Sequence, residues 1–208
     1  SDLYDLGNRV WFDTNNNGLL DTGEAPAQSV TVTLLTASGT LTTVTDANGY
    51  YAFTNLAPGT YTPTIAGANF APGGALADYW SSTGDTAAYA AGDNNKDHGI
   101  DPANRAAYLA DGVTGAPVTL GAGSQPMLED GTAPALPNGD ARGNQTADFG
   151  FYKQTIGNTI WVDSNDNGVI DGAEAPYTSG PITVTLLDTA GNVIDTVVTT
   201  NGVYTFTS

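Results

Sequence analysis

The sequence predicts an all-β protein assembled from tandem β-sandwich modules. Three observations carry this expectation. Runs rich in Thr and Val are punctuated by Gly, Pro, Asn and Asp, the residue pattern of strands and tight turns. Lysine occurs only at Lys96 and Lys153, and Glu and Arg are also sparse, so the residues that build solvent-facing helix surfaces are missing. Finally, the chain repeats itself. "LGNRVWFDTNNNGLLDTGEAP" at residues 6–26 returns without a gap as "IGNTIWVDSNDNGVIDGAEAP" at residues 156–176. "VTVTLL" at 30–35 returns as "ITVTLL" at 182–187, and "NGYYAFTN" at 48–55 as "NGVYTFTS" at 201–208. A long-range repeat of this kind is the mark of an array of like modules.

Taken in order, the first element is "LGNRVWF", whose alternation puts Leu6, Val10 and Phe12 on one face. The partners Ile156, Ile160 and Val162 are also apolar, which predicts a buried face in both copies. Trp11 and Trp161 face the other way and are expected to cover a loop or a neighbouring module. "VTVTLL" turns Val30, Val32 and Leu34 inward. "LTTVT", the turn "DANG" at 46–49 and "YYAF" read as a hairpin, since Asn-Gly accepts the positive φ of a tight turn. "PGTYTPTI" supplies a further strand after a Pro-Gly turn, and "TADFGFY" closes the module. Between them, residues from about 66 to 145 are rich in Ala, Gly, Asp and Pro, and only "APVTL" at 116–120 has clear strand character. A connection this long is uncommon in a compact domain unless it is functional or organised by a metal. The organisation expected is therefore a complete module over residues 1–153 carrying this insertion, followed at 154–208 by the first part of a second copy. A longer tandem protein, or a second chain, would complete that copy.

The stretch "DTNNNGLLDTGE" at 13–24 is the candidate site. Asp13, Asn15, Asn17, Asp21 and Glu24 occupy the first, third, fifth, ninth and twelfth positions of a calcium loop, with Gly18 at the sixth. Alternate residues of a tight loop point at one centre, and the chain turns sharply at the sixth residue, where Gly costs least. The seventh residue, Leu19, contributes a backbone carbonyl, so its side chain is free to vary. Three carboxylates around Ca²⁺ leave a net charge of about −1, ordinary for such a loop, whereas Mg²⁺ demands a smaller and more rigid octahedron. The second copy repeats the set at Asp163, Asn165, Asn167, Val169, Asp171 and Glu174, with Gly168 at the turn. Asn16 changes to Asp166 at the fourth position, where no ligand is required. Strands flank both loops, so these are EF-hand-like calcium loops lacking flanking helices. A second acidic cluster, "GDNNKDHGID" at 92–101 with Asp78 and Asp85 upstream, offers Asp93, Asn95, Asp97, the carbonyl of Gly99 and Asp101. Its spacing is looser, and it reads equally as a third ion site or as a solvated polar loop.

Composition narrows the partners. With 22 acidic and 5 basic side chains the formal charge is −17, which argues against nucleic acid, since phosphate binding needs a basic surface. No apolar run is long enough to span a membrane, and no signal peptide is recognisable, which suggests a mature product or an excised piece. There is no Cys, so disulfides and thiolate chemistry are excluded. Enzyme chemistry has little to stand on: His98 is the sole histidine, and no nucleophile–base order or phosphate loop is present. Asn144-Gln145-Thr146 forms a glycosylation sequon.

The order G-N-x-V-W-x-D-x-N-x-N-G-x-x-D-x-x-E, V-x-V-T-L-L, N-G-x-Y-x-F, P-G-x-Y and D-F-G-F resembles the SdrD B-like domains, which belong with the Cna B-type repeats of bacterial surface proteins. The resemblance rests on residues 7–24, 30–35, 45–61, 148–151 and 157–206, and is weak between 66 and 145. It implies tandem immunoglobulin-like (Cna B-type) β-sandwich modules that bind Ca²⁺, stiffen on doing so and stand on the extracellular surface of a bacterium. Many relatives also carry an internal Lys–Asn isopeptide bond with the Lys in the first strand. "LGNRVWF" and "IGNTIWV" have no Lys there, and Lys153 follows the last strand, so calcium is expected to be the main staple. Two functions follow: a calcium-stabilised structural module of a stalk, fibre, filament or surface layer whose partners are neighbouring copies, or an adhesin recognising a host protein or a glycan. For the second, Tyr79, Trp80 and Tyr89 are the candidate platform.

Overall fold

The computed structural model describes residues 2–84, 89, 91–127, 129, 133–172 and 174–207. The chain divides into two compact units, Ser1–Tyr152 and Lys153–Ser208.

In unit 1 the chain forms β1 (Tyr4–Leu6), β2 (Val10–Phe12), β3 (Ala25–Pro26), β4 (Thr31–Thr36), β5 (Gly39–Val44), β6 (Phe53–Leu56), β7 (Gly59–Tyr61) and β8 (Pro63–Ile65). The insertion then contributes β9 (Trp80–Ser81), β10 (Gly99–Ile100), the helix α1 (Arg105–Asp111), β11 (Val113–Gly115), β12 (Val118–Leu120) and β13 (Gly143–Asn144), and β14 (Phe149–Tyr152) follows. One layer is a five-stranded sheet in the order β10-β11-β8-β4-β5. The other strands form the sheets β13-β1-β6 and β3-β2-β14-β9, with β7 and β12 as a separate pair. The layers meet in one core that holds Leu6, Val10, Val30, Val32, Leu34, Ile65, Val113, Phe149 and Phe151. The inward alternation of Val30, Val32 and Leu34 is borne out, each being fully buried. "TADFGFY" does supply a closing strand: β14 runs parallel to β2, with Phe149 beside Val10 and Phe151 beside Phe12.

Several expectations are corrected. The "DANG" turn is present, with the Gly49 and Asp46 amides donating to the Asp46 and Tyr50 carbonyls, but it is a corner and not a hairpin. β5 stays with β4 in one layer, while the chain crosses over so that β6 pairs with β1 in the other. "PGTYTPTI" is likewise broken at Thr62, with β7 pairing to β12 and β8 to β4. Trp11 is wholly buried within unit 1, where its ring lies over Gly150; a Cβ there would stand 2.9 Å from the indole.

The insertion is far from structureless. "NRAAYLADG" forms a short helix that the scarcity of charged helix formers had hidden. Asn104 caps it by accepting from the Ala107 amide, and Gly112 stops it at φ 75°. The helix is held by burial: Tyr108 packs edge-on against Phe70 and Trp80. Arg105 donates to the carbonyls of Tyr79 (2.7 Å) and Phe70 (2.8 Å), and its guanidinium lies over the rings of Phe70, Trp80 and Tyr108.

Unit 2 contains β15 (Thr155–Thr159), β16 (Thr183–Leu187), β17 (Val193–Val198) and β18 (Val203–Thr207). β15 pairs with β18 and β16 with β17, the same two pairings that β1–β6 and β4–β5 make in unit 1. Its apolar face is less covered than predicted. Ile156 is 56% and Val162 59% exposed, because the described residues of unit 2 hold no counterpart of β8 or β14. Among the described residues no helix is long and apolar enough to cross a membrane.

Candidate metal centres

The first loop leaves β2 at Asp13, which is fully buried at the loop's root. Its two carboxylate oxygens accept from the amides of Asn17 (3.2 Å) and Gly18 (2.8 Å), which folds the chain back on itself. Two residues provide the sharp turn by taking positive φ, Asn16 at 54° and Gly18 at 75°. Asn15 and Asn17 accept from amides two residues on and turn their carboxamides to Asp21, at 2.9 and 2.8 Å. Those two contacts hold the Asp21 carboxyl below the usual carboxylate range. Glu24 reaches back across the loop: one oxygen accepts from the amide and hydroxyl of Thr14 (2.7 and 3.1 Å), the other from the Asp21 amide (3.0 Å).

The second loop repeats this wiring residue for residue. Asp163 accepts from Asn167 (3.2 Å) and Gly168 (2.7 Å), and Asn167 donates to Asp171 (2.6 Å). Asn165 lies within 3.5 Å of the same carboxylate, and Glu174 accepts from the Ser164 amide and hydroxyl and from the Asp171 amide. The Gly168 amide is the chief reason that the Asp163 carboxyl sits below its ordinary range. Asp166 and Gly168 repeat the positive φ, at 59° and 75°.

Each loop thus gathers a donor set of oxygens alone, carboxylate, carboxamide and the carbonyl of Leu19 or Val169, which accepts no hydrogen bond among the described residues, and that is the chemistry of a hard cation. The carboxylates themselves stay apart. Among the described residues no three His, Cys, Asp or Glu side chains come together as a cage. Each carboxylate takes N–H donors of its own, and the carboxamides of Asn15 and Asn17 turn to Asp21.

The second acidic cluster is sent to several targets instead of one centre. Asp93 pairs with Lys96 at 3.2 Å. Asp97 is fully buried and accepts from the amides of Gly99 (2.9 Å) and Gly150 (3.0 Å) and from the Ser82 hydroxyl (3.3 Å). Burial, opposed only in part by these donors, pushes its carboxyl up to about 8. Asn95 donates through its amide to Asp148, Gly99 belongs to β10, and Asp101 is exposed. Asp78 is exposed, and Asp85 lies outside the described residues.

The aromatics of the candidate platform are each partly buried against the core. Tyr79 stacks on Phe12 at 4.5 Å, Trp80 meets Tyr108 edge-on at 5.3 Å, and Tyr89 stacks on His98 at 4.4 Å. The Asn144 sequon is closed as well, for Asn144 is buried and its side-chain oxygen accepts from the Thr146 amide and hydroxyl.

Sequence reasoning missed one group of residues at the first loop. The amide of Leu20 donates to the Asn95 carbonyl (2.8 Å) and that of Asp97 to the Gly18 carbonyl (2.8 Å), so Leu19 and Lys96 form an antiparallel bridge. The Thr83 amide donates to the Asn16 side chain at 3.0 Å. These are backbone contacts from a distant part of the chain, and no side-chain pattern announces them.

Comparison with known proteins follows the same division. The sequence model of the SdrD B-like domain matches residues 4–111 and again residues 154–208. Serine-aspartate repeat-containing protein D of Staphylococcus aureus (strain Newman) is 33% identical over 209 residues, which cover 98% of this chain and 12% of that protein. Serine-aspartate repeat-containing protein F of Staphylococcus epidermidis (strain ATCC 12228 / FDA PCI 1200) is 30% identical over 210 residues, 98% of this chain and 10% of that protein. The chain therefore spans about an eighth or less of the curated relatives it matches. Among solved structures, the Bacillus anthracis TIE protein aligns with all of this chain and 26% of its own at a TM-score of 0.37 and 10% identity, a likeness too slight to argue from.

Proposed function

Since the chain belongs to the SdrD B-like domain family, we propose that it is a calcium-stabilised structural repeat module of an extracellular bacterial stalk, fibre, filament or surface layer. Its partners are neighbouring copies of the same module, its place is the cell surface, and it carries out no catalysis. The observation that carries this reading is the duplication of one loop at residues 13–24 and 163–174. The five ligand side chains and the hydrogen bonds that shape them recur, while non-ligand positions such as Asn16 and Asp166 differ. Asp13, Asn15, Asn17, Asp21, Glu24 and the Leu19 carbonyl would hold one Ca²⁺, and their second-unit counterparts another.

An ion that binds only the folded chain stabilises it by RT ln(1 + [L]/Kd), about 2.7 kcal/mol at a hundredfold excess. It also discharges part of a −17 chain. The adhesin alternative has less to draw on, because the aromatics that suggested a ligand platform are partly buried and pack onto Phe12, Tyr108 and His98. The test is thermal unfolding in millimolar CaCl₂ and in EDTA, with bound metal counted by native mass spectrometry. A large drop in Tm in EDTA and two Ca²⁺ per chain are expected. An unchanged curve with no bound Ca²⁺ would return both loops to the status of polar turns.

A further inference from the structure

We infer that Thr83 and residues 94–97 form a strap that holds the first loop closed before any ion arrives, so that in the 208-residue chain it binds Ca²⁺ more tightly than it would with the strap released, and more tightly than the second loop, beside which the described residues place no such strap. This inference rests on the calcium reading given above.

The ligand chemistry cancels between the loops, since side-chain types and internal hydrogen bonds are the same. Among the described residues, what differs is the support. Among them the first loop is pinned from outside by four hydrogen bonds: from the Leu20 amide to the Asn95 carbonyl, from the Asp97 amide to the Gly18 carbonyl, and from the Thr83 amide and hydroxyl to the Asn16 side chain and carbonyl. The bridge uses the carbonyl of Gly18 and the amide of Leu20, leaving the Leu19 carbonyl between them available to an ion. The fit is close: a Cβ on Gly18 would stand 2.1 Å from the Thr83 carbonyl oxygen. Around the second loop a Cβ on Gly168 would meet nothing within 4 Å, and among the described residues the Ile170 amide has no partner.

The strap is itself fixed to the sandwich. Asp148, at the start of β14, accepts from the amides of Asn95 (2.8 Å) and Arg9 (3.0 Å), and its carbonyl accepts from His98 (2.9 Å). The Asp97 carboxylate accepts from Gly150 within β14. A loop ordered in advance loses less conformational entropy when it binds, and that difference appears as affinity. One effect opposes it: Asp166 adds a charge to the second loop where the first has Asn16. Asp166 is exposed, so the high dielectric of water weakens its pull on an ion.

The experiment uses the whole 208-residue chain in 0.15 M NaCl. Calcium titration by calorimetry should show two steps separated by about tenfold or more, with Glu24→Gln removing the tight step and Glu174→Gln the weak one. Asn16→Gly keeps the positive φ and deletes the acceptor of the Thr83 amide; it should weaken the tight step about threefold to tenfold, the worth of one such hydrogen bond. Asp166→Gly should leave the tight step unmoved. Gly18→Ala and Gly168→Ala form a matched pair at the same φ, and only the first presses on the strap, so it should cost the more affinity. Hydrogen exchange in EDTA reads the strap without calcium: the Leu20 amide should exchange more slowly than that of Ile170, and Asn16→Gly should narrow the gap. Equal affinities, a tight step that belongs to the second loop, or equal exchange at the two amides would overturn the strap while leaving the calcium reading intact. A chain that takes up no Ca²⁺ at all would overturn both.

Discussion

Asp97 shows how far a side chain's role can depart from its type. In the sequence it is one oxygen among many in an acidic stretch. In the fold it is a buried acceptor for Gly99, Gly150 and Ser82, with its carboxyl pushed up to about 8 by burial. The folded state therefore holds the proton more tightly than the unfolded chain, whose carboxyl keeps the ordinary value of 3.8. Its contribution to stability is most favourable below about pH 4, declines as pH rises and is fully adverse above about pH 8. Asn fits the same place: both backbone amides donate to one oxygen, Oδ1, which a carboxamide retains, and its NH₂ can donate to Ser82. Asp97→Asn should thus raise stability at pH 8 by about 1–2 kcal/mol and flatten the slope of urea-derived stability between pH 5 and 8. A variant less stable than the parent at pH 8 would show that the negative charge is needed there. The folding of the 13–24 loop, by contrast, was legible in the sequence, because Asp13, Asn15, Asn17, Gly18, Asp21 and Glu24 sit at the spacing of a converging loop, and their side chains and amides do bond across it. Asp97 was misread because its partners are amides contributed by residues as distant as Gly150.

At the scale of the element, short-range pattern succeeds where one face is buried and fails where the chain changes layer. β4 was readable because Val30, Val32 and Leu34 alternate with Thr. The "DANG" turn was readable as a turn, but nothing local distinguishes a hairpin from a corner, since the choice is made by the pairing of β6 with the remote β1. The helix α1 was missed because it owes its stability to an Asn cap, a run of Ala and the burial of Tyr108, and not to charged helix formers. Arg105 ties that helix to the loop before β9 through two carbonyls and three aromatic rings. Arg105→Ala would leave both carbonyls without their donor and open a gap among Phe70, Trp80 and Tyr108. It should cost about 2–3 kcal/mol in urea unfolding followed by tryptophan fluorescence. Arg105→Lys should recover only part of this, since an ammonium cannot donate in two fixed directions and lie flat on the rings.

Over the whole molecule, the repeat and the charge set the behaviour. A chain of −17 repels itself, and without divalent cations that repulsion is opposed only by packing. Raising NaCl from about 10 mM to 0.5 M in EDTA should therefore lift Tm by a few degrees, on the scale of about 1 kcal/mol. On the proposed calcium reading, millimolar CaCl₂ should achieve more at far lower ionic strength; equal effects at equal ionic strength would reduce calcium to a general screening ion. The repeat made the modular plan legible from the sequence alone, whereas the insertion's role as support for one loop depended on which backbone segments meet. One further consequence comes from the pairing of β2 with β14. These strands lie near opposite ends of unit 1 and run parallel, with Val10, Trp11 and Phe12 beside Phe149, Gly150 and Phe151. A pull on the two ends of the unit is directed along that ladder in opposite senses. Its hydrogen bonds are then loaded together in shear instead of being unzipped one at a time, an arrangement that makes the unit a mechanical clamp.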